Sequence, residues 1–159
     1  MSKIKDFLPL IMLFSLILLF SFVRQLLAPA WDLHEFSYDF MGAFFIIFGG
    51  FKLYNLQAFA HAYAEYDLIA QRSSLYAQIY PVIELILGLA YLTRTFLVTT
   101  QIVTVLLMLV SAAGVAVALS KQQNFTCACL GVVFKIPMTY VTLFEDLLMA
   151  VMALAMLIM

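Results

Sequence analysis

Long runs of apolar residues constrain the fold of this chain more than any other feature of its sequence. The run from Phe7 to Val23 carries no charge, and further apolar runs cover about 40–56, 75–96, 97–119 and 140–159. A helix needs about 20 mostly apolar residues to cross a bilayer. Charged residues make up only 11% of the 159 residues, whereas soluble domains carry about 25%. The sequence therefore predicts an all-α, polytopic membrane protein with five transmembrane helices.

The first apolar run begins like a signal peptide. Lys3 and Lys5 precede it, and Ala28-Pro29-Ala30 follows it in the manner of a cleavage site. The run is longer than the apolar core of a signal peptide, which has about 7–15 residues, so we expect a retained helix that acts as an uncleaved signal-anchor. The prediction is an N-terminal transmembrane helix at 1–30, followed by a four-helix membrane domain at 31–159.

The only two cysteines, Cys127 and Cys129, are one residue apart in a polar connection at 120–139. Two cysteines cannot form a disulfide framework. A disulfide within a CxC motif closes a very small ring, so it should be strained and labile, and suited to thiol exchange. Two thiolates also suit soft metal ions, and small buried cysteines often have no chemical role. We expect a redox or metal role for this pair.

Lys52 and Glu84 lie inside apolar runs. Ionisable groups there are costly and are usually paired or line a polar path. Antiparallel packing of the second and third spans would bring the two residues within about 7 Å in depth, which a lysine side chain can reach. The sequence predicts a buried Lys52–Glu84 pair, as a structural link between helices or as part of a proton relay.

The distribution of basic residues predicts the orientation of the chain. With five spans, only Arg24 and Arg94 fall on one side of the membrane. Six basic residues fall on the other side or near it, namely Lys3, Lys5, Lys52, Arg72, Lys121 and Lys135. The positive-inside rule therefore places the N-terminus and the CxC connection in the cytoplasm.

Several classes of function are excluded or disfavoured. The net charge is −1, and no basic patch could neutralise the phosphates of a nucleic acid. The few polar residues do not supply a Ser/His/Asp set or a cluster of zinc ligands. The most that the sequence predicts as an enzyme is a thiol–disulfide oxidoreductase or its accessory, and no cofactor is expected.

Four short motifs follow one another in the chain. They are Gly49-Gly50-Phe51-Lys52-Leu53, then Phe59 with Tyr66-Asp67-Leu68, then Pro81-Val82-Ile83-Glu84-Leu85-Ile86-Leu87-Gly88, and finally Cys127-Ala128-Cys129-Leu130-Gly131. In this order they resemble the MauE branch of the DoxX-like membrane proteins, in which Phe stands at the position of Leu130. The resemblance covers about three quarters of the chain.

The resemblance implies a four-helix transmembrane bundle in the bacterial inner membrane, preceded here by one extra N-terminal span. It also implies a redox-associated role, in which Cys127 and Cys129 are the redox pair and support the disulfides of a partner protein. Lys52 and Glu84 would be buried polar residues of the bundle. The expected partners are the lipid bilayer, a protein thiol or disulfide, and a larger membrane complex.

Two other functions stay open at this point. The protein could carry or transport Cu(I) or Hg(II) on the thiolates of Cys127 and Cys129. It could instead be a non-catalytic subunit of a membrane complex, in which the cysteines are idle. The chemistry of the two cysteines separates all three hypotheses.

Overall fold

The computed structural model describes residues 2–121, 126–127, 136–137 and 140–158, with side chains from residue 8 onward except those of 126–127, 136–137 and 141. Helices dominate these residues, and two short strands pair antiparallel, with Thr126 opposite Pro137 and Cys127 opposite Ile136. The elements in order are α1 (Ser2–Leu26), α2 (Leu33–Tyr54), α3 (Leu56–Tyr63), α4 (Ser74–Thr93), α5 (Leu97–Ser120), β1 (Thr126–Cys127), β2 (Ile136–Pro137) and α6 (Tyr140–Ile158).

The predicted all-α class and the multi-pass membrane character are confirmed. Four helical segments in the described part of the chain are long and apolar enough to cross a membrane, namely Leu8–Leu27, Leu33–Tyr54, Ser74–Thr93 and Leu97–Ser120. The predicted count of five spans is not confirmed. Helix α6 has 19 residues and packs along α5.

Helix α2 begins earlier than the apolar run at about 40–56 predicted, because residues 33–39 also belong to it. The carboxylate of Asp32 accepts a hydrogen bond from the backbone N–H of His34 at 2.8 Å and so caps the helix. Glu35 and Asp39 lie in the first two turns of the helix, where both form ion pairs with Arg94. The acidic residues near the start of α2 therefore do not mark a loop.

Glycines let α2 and α4 approach closely. A Cβ added to Gly88 would lie 3.0 Å from the carbonyl oxygen of Gly42, and one added to Gly49 would lie 3.2 Å from that of Pro81. Small residues at such a contact are typical of membrane helices, which associate through close packing. The start of α2 thus faces the end of α4, so the two helices are antiparallel, and Lys52 in the last turn of α2 faces the first half of α4.

Helix α5 supports the segment between α3 and α4. A Cβ on Gly114 would lie 2.8 Å from the carbonyl oxygen of Tyr66 and 3.1 Å from the Cα of Asp67. The backbone around Tyr66 therefore rests directly on α5. Asp67 is fully buried and accepts hydrogen bonds from the N–H groups of Ile69 and Ala70 at 2.9 and 2.8 Å, which fixes the turn.

We predict that Gly114→Ala destabilises the protein by about 1–3 kcal/mol, because its methyl group would overlap backbone atoms that cannot simply rotate away. Gly50→Ala is the matched control, since a Cβ there meets nothing within 4 Å, and we expect it to be neutral. Thermal unfolding of the two variants in the same detergent measures the difference. Equal shifts of the two melting temperatures would contradict this account of the α5 contact.

Candidate functional site

A small polar cavity lies inside the helices, at the end of the bundle where α2 finishes and α6 begins. Its volume is about 30 Å³, which is enough for water-sized molecules. Helices α2, α3, α4, α5 and α6 all contribute to its wall. The lining residues are Phe44, Phe48, Lys52, Phe59, Tyr63, Tyr66, Tyr80, Glu84, Met108, Ser111, Thr142, Glu145 and Asp146.

The structure brings Lys52 and Glu84 together on one side of this cavity. The Lys52 ammonium donates a hydrogen bond to Glu84 Oε1 at 2.5 Å, and both side chains are buried. The same ammonium lies 4.9 Å from the centre of the Tyr80 ring and 5.7 Å from that of Phe59. A cation over aromatic faces is stabilised by the negative charge of the ring faces. The Lys52 ammonium is therefore stabilised both by a carboxylate and by two aromatic rings.

Two further acids reach the cavity from α6. Glu145 is buried, with 5% of its surface exposed, and Asp146 is partly buried. The Ser111 hydroxyl donates a hydrogen bond to Asp146 Oδ2 at 2.9 Å and so links α5 to α6. The described residues of the cavity wall thus include three carboxyl groups, and Lys52 is the only lysine or arginine among them.

Two carboxyl oxygens in this cavity have no hydrogen-bond donor among the described residues. They are Glu84 Oε2 and Glu145 Oε1, and both are inaccessible from outside. Buried polar atoms almost always have a partner, and leaving one without costs about 1–3 kcal/mol. The two oxygens can therefore accept hydrogen bonds from a small molecule in the cavity.

Tyr63 closes the α3 side of the cavity. Its hydroxyl donates a hydrogen bond to Asp67 Oδ2 at 2.9 Å. Burial, followed by the nearby Tyr80 and Asp67, raises the pKa of Tyr63 well above its usual range. The phenol therefore stays protonated and keeps this donor role at ordinary pH.

A second polar cluster lies at the opposite end of the bundle. Arg94, just after α4, pairs with Glu35 and Asp39 of α2 at 2.7 and 2.8 Å, and Arg24 of α1 lies 3.4 Å from Asp39. Partial burial lowers the pKa of Arg94, but hydrogen bonds and charges from Glu35 and Asp39 raise it overall. The guanidinium therefore stays charged and ties α2 to the end of α4. Arg94 has a left-handed backbone, with φ 59°.

The predicted redox pair lies only partly within the described residues. The backbone of Cys127 belongs to β1, which lies against α3, while β2 lies against α1. Cys129 lies outside the described residues. Because α3 also supplies Phe59 and Tyr63 to the cavity, the strand pair and the cavity share one end of the bundle.

Sequence reasoning missed part of this site. The predicted site residues did not include Glu145, Asp146 or Ser111. The available signal was the position of these two acids inside an apolar run, the same argument that had selected Lys52 and Glu84. That α5 and α6 would bring them to this cavity was not visible in the sequence.

Comparison with known proteins gives one match. The family model for methylamine utilisation protein MauE matches residues 32–159. No curated protein and no solved structure matches the chain. The matched region contains the cavity residues and both cysteines, and it begins just before α2.

We predict that Lys52→Met destabilises the protein by about 3–5 kcal/mol, because it leaves buried carboxyl groups without their cation. Glu84→Met should cost less, since Lys52 still faces the acids of α6. The double variant should be more stable than Lys52→Met alone, because an apolar pair of similar size can replace a buried ion pair. Thermal unfolding of the three variants tests this order. A double variant whose loss equals the sum of the two single losses would show that the pair is not coupled.

Proposed function

The chain belongs to the MauE family, and from this premise we propose that it is a redox-associated membrane protein that uses Cys127 and Cys129 in thiol–disulfide exchange with a partner protein. The exchange supports disulfide maturation in the partner. The main support is the location of Cys127, whose backbone lies in a strand held against α3 at the end of the bundle. A cysteine on such a connection can meet another protein, whereas one within a span would face lipid or other helices.

The exchange proceeds in two substitutions at sulfur. One cysteine thiolate attacks a sulfur of the partner's disulfide, the partner's S–S bond breaks, and the released thiolate takes up a proton. The second cysteine then displaces the partner from the mixed disulfide. The pair loses two electrons and becomes a disulfide, while the partner gains two thiols. The reverse sequence oxidises a partner dithiol.

The proposed location is the bacterial inner membrane with the cysteine connection in the cytoplasm. The described part of the chain supports the predicted separation of charges, because Arg24 and Arg94 meet at one end of the bundle around Asp39. Lys52 and Lys121 lie toward the other end, at the ends of α2 and α5. The sequence count of six basic residues at or near this side against two at the other supports a cytoplasmic location.

We predict that one of the variants Cys127→Ser and Cys129→Ser accumulates a mixed disulfide with its partner, because the cysteine that would resolve it is missing. Non-reducing electrophoresis of cells quenched in acid should show an adduct that disappears on reduction. The double variant contains no cysteine at all and is the control for adducts that do not involve this chain.

Two results would contradict the exchange hypothesis. If neither single variant forms an adduct and the double variant keeps full function, the cysteines are idle and the protein is a structural subunit. If the wild-type protein carries about one equivalent of Cu(I) or Hg(II) that the double variant lacks, the protein is a soft-metal carrier.

We predict that a membrane-impermeant maleimide labels the reduced pair only after the cells are made permeable. The physical reason is the excess of basic residues on the side of the CxC connection. The cysteine-free double variant gives the background. Labelling in intact cells after treatment with an impermeant reductant would reverse the orientation but would leave the exchange chemistry in place.

A further inference from the structure

The described wall of the cavity carries more carboxyl groups than basic groups. Glu84, Glu145 and Asp146 line it, and Lys52 is the only lysine or arginine among its described lining residues. Taking charge out of water is costly unless opposite charges and hydrogen bonds replace the water. Lys52 forms its ion pair with Glu84. Among the described residues, neither acid of α6 takes part in an ion pair.

The cavity also lacks hydrogen-bond donors at two defined atoms. Glu84 Oε2 and Glu145 Oε1 accept no hydrogen bond from the described residues. Both residues are buried, with only 1% and 5% of their surface exposed. They come from two different helices, α4 and α6, and both line the same space. A ligand that satisfies both must donate at least two hydrogen bonds.

We propose that this cavity is a binding site for a small ammonium ion, either NH₄⁺ or a short primary ammonium. Such an ion supplies a positive charge together with three or four N–H donors, and charge-assisted hydrogen bonds to carboxylates are among the stronger ones. The volume of about 30 Å³ restricts the ligand to a few non-hydrogen atoms.

The surroundings of Lys52 show how the cavity accommodates an ammonium group. Its Nζ atom is held by Glu84 and lies over the rings of Tyr80 and Phe59. Tyr63 and Tyr66 extend the aromatic wall. Aromatic faces attract ammonium groups of ligands as they do those of lysine.

A metal ion fits this cavity less well than an ammonium ion. Among the described residues, no group of three or more His, Cys, Asp or Glu side chains is close enough to hold a metal ion. Metal ligands must converge within about 2.0–2.6 Å of one point. An ammonium ion makes longer contacts, of about 2.7–2.9 Å, and can therefore bridge carboxylates that stand further apart.

The first test uses the purified wild-type protein in detergent at constant ionic strength and pH. Ammonium chloride and methylammonium chloride are compared with potassium chloride, whose cation has a similar size but no N–H donor, and with tetramethylammonium chloride. We expect a saturable rise in the melting temperature with at least one of the first two salts, because a ligand that binds only the folded state stabilises it. The salt that acts at the lower concentration identifies the ligand. An equal rise with potassium chloride, or no rise with any salt, would overturn the proposal.

The second test compares Glu145→Gln with Glu65→Gln. Glu145 supplies one of the two unpaired oxygens, whereas Glu65 is exposed and does not line the cavity. Both changes replace a carboxyl group with an amide and keep the shape of the side chain. We expect Glu145→Gln to weaken ammonium binding about tenfold or more, because a charge-assisted hydrogen bond is lost, and Glu65→Gln to leave it unchanged. Unchanged binding to Glu145→Gln would overturn the proposal, and the wild-type comparison decides it if that variant does not fold.

A third measurement separates this site from the thiol chemistry. The cysteine-free variant Cys127→Ser, Cys129→Ser should bind ammonium as the wild-type protein does, because no cysteine belongs to the described cavity. Loss of ammonium binding in that variant would overturn the proposal of an independent site. The thiol exchange can fail its own test without affecting this result.

Discussion

The ion pair between Lys52 and Glu84 is the interaction on which the interior of this protein depends. Neither charge could stay in an apolar interior without the other, because an unpaired buried charge costs several kcal/mol. The pair is possible because Gly49 brings α2 against the backbone of α4 at Pro81. Close helix packing and the buried pair therefore require each other, and together they fix how far α2 is shifted along α4.

The two polar clusters lie at opposite ends of the bundle and differ in how fully their polar groups are paired. At one end, Arg94 joins α2 to the end of α4 through ion pairs with Glu35 and Asp39. Its positive charge is therefore paired. At the other end, the described lining residues offer one lysine for three carboxyl groups, and two carboxyl oxygens have no donor among them. A membrane protein tolerates such an imbalance where it serves a function. The end with unmatched charge is also the end at which the strand of Cys127 lies against α3.

The strand of Cys127 and the cavity therefore lie at the same end of the bundle, and both belong to the region that the family model matches. Membership of the MauE family rests on the match over residues 32–159, while the role of the cysteines is our proposal. Thiol exchange needs an accessible pair of sulfurs, and ammonium binding needs a closed space with acceptors. The fold separates these needs, because a connection between helices carries the cysteines and the helices themselves enclose the acids. Each chemistry can therefore be tested without the other.

The sequence by itself determined the class of the protein and most of its helices. Apolar length predicted α4 and α5 to within a few residues, because a membrane span needs a fixed number of apolar residues whatever its neighbours. The same logic selected Lys52 and Glu84 as a pair, since an isolated charge in an apolar run requires a partner. The division at residue 30 and the roles of Cys127 and Cys129 stay predictions.

Only the tertiary structure decided which partner the acids of α2 have and which acids share the cavity. The start of α2 has a local signal, because Asp32 caps the helix and Glu35 follows three residues later. The pairing of Glu35 with Arg94, 59 residues away in the chain, has none. Glu145 and Asp146 reach the cavity because α6 packs along α5 and Ser111 meets Asp146. Local rules describe what one helix needs, such as length, caps and apolar surface. Which polar groups meet is set by the packing of several helices, and that information lies in no single stretch of the sequence.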